Sequence, residues 1–92
     1  MPYIKREDRA EIDDQIDELV KQLKTFDDGK VDGALNYTIT RLLELTYDDI
    51  NYFTINRVVG VINCVENEYY RRKAAPYEDR KKLLHGDVYR GL

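Results

Sequence analysis

Nucleophiles and metal ligands are scarce in this chain, so carboxylates, tyrosines and basic side chains offer most of its chemistry. There is one cysteine (Cys64), one histidine (His85) and no serine. A single Cys and a single His exclude an internal disulfide and the common Cys/His zinc sites within one chain. Thr38 and Thr40 are the remaining hydroxyl nucleophile candidates, with no histidine near them in sequence. No phosphate-cradling glycine loop, dinucleotide fingerprint or nucleophile elbow is present. Glu11/Asp14 and Asp14/Asp17 have the one-turn spacing with which helical nucleotide pyrophosphohydrolases hold magnesium. The matching pair on a second helix is missing: Glu66 and Glu68 stand two apart and diverge. A magnesium-dependent hydrolase is therefore a distant alternative. No catalytic, cofactor-binding or metal-ligating residue is assigned.

Three features break the simple amphipathic pattern. Glu66 falls on a wheel between Val59 and Ile62, inside an apolar arc, where a carboxylate needs a partner. Arg41, at the edge of the preceding helix, is the expected partner in a shielded pair. Asn56, Gly60, Asn63 and Asn67 form a polar stripe with Tyr70 on the same side. Asparagine is a poor helix-interior residue, and a narrow polar face around a glycine suits the close approach of another helix. Eight tyrosines and no tryptophan complete the set. Tyr69 to Lys82 mixes them with Arg71, Arg72, Lys73, Arg80, Lys81 and Lys82, a composition that can also stack and neutralise nucleic acid. The discriminating feature is whether those six cations share one exposed face.

The elements that must carry these residues are helices. Ile12, Ile16, Leu19, Val20 and Leu23 recur at helical spacing and predict a first helix from Glu7 to Lys24. Phe26 to Gly33 reads as a turn, with Asp32 capping a second helix over Gly33–Tyr47. Leu35, Ile39, Leu42, Leu43 and Thr46 would be its inner face. A third helix spans Tyr52 to Lys73, its apolar arc built from Ile55, Val58, Val59, Ile62, Val65 and Tyr69. Pro76 is expected to break or kink it, with Ala75 biased out of the helical region. A short fourth helix over Tyr77–Leu84 would end at Gly86. The expected fold is all-α: a three-helix antiparallel bundle-like domain over 1–92, with an extended entry over 1–6 and a loose tail over 86–92. Its core would hold Ile12, Ile16, Leu19, Leu23, Leu35, Ile39, Leu42, Ile55, Val58, Val59, Ile62 and Val65.

At 92 residues the chain makes one small domain, and 42% hydrophobic content argues against disorder. No apolar run has the length of a membrane span and no signal peptide opens the chain, so the expected location is the cytoplasm. Residues 1–49 carry 7 Lys/Arg against 13 Asp/Glu, a balance of −6, and residues 50–92 carry 8 against 5, a balance of +3. The two reproduce the net charge of −3 and suit packing of front against back, within a chain or between chains.

Several blocks resemble a family of short proteins of unknown function from bacteria, archaea and their viruses. They are Met1-Pro-Tyr-Ile, Leu35-Asn-Tyr-Thr-Ile-Thr-Arg-Leu, Tyr69-Tyr-Arg-Arg followed by Ala75-Pro-Tyr-Glu-Asp, and His85-Gly-Asp-Val-Tyr. The likeness spans most of the chain. Members often have Asn where His85 stands, which implies no metal or catalytic role for that histidine; the resemblance supplies no activity. The functional expectation is a small helical protein-interaction module without catalysis or cofactor. It would act as a homodimer through Asn56, Gly60, Asn63, Asn67 and Tyr70 and bind a protein partner, in the host cytoplasm if virus-encoded. The alternative is a nucleic-acid-associated accessory protein using Tyr69–Lys82.

Overall fold

The computed structural model describes residues 1–91, and the last position of the expected tail, Leu92, lies outside them. The described residues are all-α, with no strand. After a non-helical entry over 1–5, α1 runs Arg6–Leu23, α2 Asp28–Thr46 and α3 Tyr52–Tyr69. A π turn, Tyr70–Ala74, then leads directly into α4, Ala75–His85. Contacts divide the chain into two units: Tyr3–Val58, and Met1–Pro2 together with the residues from Val59 on.

In the first of these units, α1 opens with Glu7 and Asp8 and closes with Lys21, the order that the helix dipole favours. The carbonyl of Lys5 starts it by accepting from the amides of Asp8 and Arg9 at 3.0 and 3.1 Å. A short loop leads into α2, which begins five residues before the expected start. Asp27 occupies the N-cap position in extended conformation, and its carbonyl accepts from the amides of Lys30 and Val31 at 2.8 and 3.0 Å. The composition of residues 26–33 reads as a turn, yet each helical glycine costs only about 1 kcal/mol. Half-buried Val31 and Ala34 give this extra turn a packing face. α1 and α2 pack on each other, with Leu19 and Leu23 facing Ala34 and Thr38 across one groove.

Within the same unit, Asn51 caps α3: its Oδ1 accepts the Thr54 amide at 3.0 Å, and its carbonyl accepts that of Ile55 at 2.9 Å. Thr54, 9% exposed, is the one buried residue among those described.

In the second unit, the helix does not break at Pro76. Tyr69, Ala74 and Ala75 all have right-handed helical backbone, and Pro76 lies in the first turn of α4. A proline in a regular α-helix clashes with the carbonyl four residues back, here Arg72, and leaves it without a donor. The π turn relieves this locally. Its closing bond runs from the Ala75 amide to the Tyr70 carbonyl, five residues back. α4 ends where expected: Gly86 has φ 88°, and its amide donates to the Lys82 carbonyl at 2.8 Å.

The expected core is not formed. Among the described residues no apolar side chain is buried. Ile12, Ile16, Leu35, Ile39, Leu42, Ile55, Val59, Ile62 and Val65 are between 42% and 61% exposed, and Leu19, Leu23 and Val58 are half-buried. In the α1–α2 pair the cause is geometric. α2 meets α1 through Ala34 and Thr38, which leaves Leu35, Ile39 and Leu42 on a neighbouring face.

Candidate protein-interaction surface

The surface with most to bind is apolar and helical. In Tyr3–Val58 it comprises the open faces of α1 (Ile12, Ile16, Val20) and α2 (Leu35, Ile39, Leu42), each with residues at helical spacing. In the second unit, the α3 residues Val59, Ile62 and Val65 are exposed in their own right. Exposed apolar side chains at helical spacing are candidates for an interaction surface.

Beside the apolar arc of α3, Asn56, Gly60, Asn63 and Asn67 fall within about 60° of one another around the helix axis, and all four are exposed. A Cβ built on Gly60 meets nothing within 4 Å, so the glycine answers no close approach inside this chain. Tyr70, the fifth candidate, begins the π turn and is exposed. Its hydroxyl donates to Glu78 Oε1 at 2.5 Å, two turns on. The Glu78 carboxylate, by that bond and by its charge, holds the Tyr70 phenol above its ordinary pKa.

The shielding expected for Glu66 is absent, and the residue is exposed. Its apolar neighbours on the wheel, Val59 and Ile62, are exposed as well, so its carboxylate keeps its water. Arg41 donates through Nη1 to Glu44 Oε2 at 2.9 Å, a solvent-exposed pair one turn apart on α2.

The six cations do not share a face. Arg72, Lys73 and Arg80 lie within about 100° of one another, with Arg71 and Lys82 on the other side of the helix. Arg71 donates to Glu68 Oε1 at 2.6 Å. Arg80 and Lys81 stand over the Tyr77 ring at 5.8 and 5.5 Å, which occupies one face of the ring on which a base would stack. The chemistry-bearing candidates are also engaged or dispersed. Thr38 and Thr40 hydroxyls donate at 2.8 Å to the carbonyls of Ala34 and Asn36, one turn back. Among the described residues no three His, Cys, Asp or Glu side chains come together as a metal site.

Two arrangements escaped the sequence reading. The Arg57 guanidinium lies 5.6 Å from the Tyr47 ring centre and 5.8 Å from that of Phe53, fastening the loop before α3 to its first turns. The Phe53–Arg57 spacing of four was a visible signal; the place of Tyr47 depended on the loop. The Tyr70–Glu78 bond had no visible signal. Eight residues of regular α-helix place two side chains roughly 80° apart. The extra residue held in the π turn brings this pair nearly into line.

No described helix is long and apolar enough to cross a membrane. A family model, Domain of unknown function (DUF6899), matches residues 1–88, and the chain belongs to that family. No curated protein and no solved structure matches it.

Proposed function

We propose that this family member is a small helical protein-interaction module that works as a homodimer, its second copy covering the apolar faces of α1, α2 and α3. The observation that carries this is the absence of a buried apolar side chain among the described residues. A chain of 10.9 kDa that buries its own core exposes about 5,600 Å². Here 8782 Å² is accessible, an excess of about 3,200 Å² per chain or about 6,400 Å² for two copies, which reaches the upper end of what obligate dimers bury. The Asn56–Gly60–Asn63–Asn67 stripe supports α3 as the seam. Under two-fold symmetry the same residues face one another, glycine allows close approach, and the amides fix register. Residues 1–92 then act as one domain whose core spans both copies. A cytoplasmic setting, the host's if the gene is viral, goes with the lone cysteine, Cys64, and the family resemblance.

Gly60→Arg tests the seam. Nothing in the chain itself resists an added side chain there, so a loss of association reports on the second copy. Light scattering on the variant should show monomers, with helicity falling as the dimer is lost. A variant that stays dimeric at tens of micromolar would remove α3 from the interface.

A further inference from the structure

We infer that the dimer is stapled in trans, α1 of one copy lying along the π turn and α4 of the other. This rests on the homodimer reading and adds to it the partner elements and their polarity. α1 carries Glu7, Asp8, Glu11, Asp13, Asp14, Asp17 and Glu18 against Arg6, Arg9 and Lys21, a balance of −4. Tyr70–His85 carries six Lys/Arg against Glu78 and Asp79, a balance of +4.

Among the described residues little of either charge is spent in local ion pairs, although on the basic segment Arg71 pairs with Glu68 at 2.6 Å. On α1 the one ion pair among the described residues is Lys21–Glu18, at 3.2 Å and with both side chains 75% exposed. Asp13, Asp14 and Asp17 share an exposed face with no such pair. On the other segment Arg72, Lys73 and Arg80 share a face, and Arg80 stands 5.8 Å from the Tyr77 ring centre.

Each surface also carries apolar side chains that need cover: Ile12, Ile16 and Val20 on α1, Leu83 and Leu84 on α4. Contact between the two surfaces buries apolar area and pairs opposite charges in one step. A second copy of this chain supplies both surfaces at once, and two-fold symmetry makes the contact twice. Assembly driven by apolar burial strengthens or holds in salt, whereas this staple weakens as salt screens it.

Reciprocal charge reversal tests the inference. One variant carries Asp13→Lys, Asp14→Lys and Asp17→Lys; the other carries Arg72→Glu, Lys73→Glu and Arg80→Glu. All six positions are exposed, and the substitutes are good helix formers. In each variant alone both surfaces have one sign, and self-association should weaken more than about tenfold. An equimolar mixture, combined natively and also after joint refolding, should recover dimers containing one copy of each, as read by native mass spectrometry. Variants that remain homodimers overturn the staple. Variants that lose association and are not rescued by mixing also overturn it, because the charges then pair within a chain or with another partner. A monomeric wild type defeats the dimer reading itself, an outcome distinct from both.

Discussion

Asn51 sets the start of α3 with one side chain. Its Oδ1 takes the Thr54 amide, one of the four amides that a helix start leaves without partners. Asn51→Ala should lower stability by about 1 kcal/mol, read as a shift of the urea midpoint, while Asn51→Asp should hold it. Tyr70 makes a second residue-scale prediction. Glu78 raises its pKa in the folded chain, so the bond adds stability that is complete below the unfolded value, about 10. That stability is lost as pH rises through the higher folded value. Phenolate absorbance should show one tyrosine of eight titrating late, and Tyr70→Phe should abolish that late step. At this scale the sequence was legible where chemistry is local. That one Cys and one His cannot make a common Cys/His zinc site within one chain follows from counting residues. The state of Glu66 was not legible, because its place in an apolar arc implies burial only if something covers that arc.

The helices were legible as elements because apolar spacing repeats over several turns. Their ends and joints were less so. Two glycines and three aspartates over residues 26–33 have turn composition, yet the chain folds Asp28–Gly33 into α2, since a helix already paid for by propagation extends through weak residues. Gly29 and Gly33 meet nothing within 4 Å where a Cβ would stand. Gly29→Ala and Gly33→Ala should each raise thermal stability, by about 0.5–1 kcal/mol. Pro76 misled for a different reason. Proline rules assume an α-helical register, and a π turn is a second solution that no residue type announces. If Pro76 is the cause of that turn, Pro76→Ala should restore α spacing, swing Glu78 away from Tyr70 and return the Tyr70 titration to the ordinary range. Unchanged late titration in that variant would place the cause of the π turn elsewhere.

For the molecule as a whole, apolar periodicity identifies the residues that need burial and leaves open which chain buries them. Ile12, Ile16, Leu35, Ile39, Ile55 and Ile62 were all legible as core residues, yet each is more than 40% exposed. The proposed homodimer would resolve this by building the core from two copies, and it would make folding and association one process, with stability that depends on protein concentration. The most direct test is the molar mass of the wild-type chain by light scattering, with helicity followed on the same samples from tens of micromolar down through dilution. The account predicts twice 10.9 kDa at the high end, with mass and helicity falling together on dilution. A mass of 10.9 kDa at tens of micromolar, with full helicity and a melting temperature independent of concentration, would contradict it.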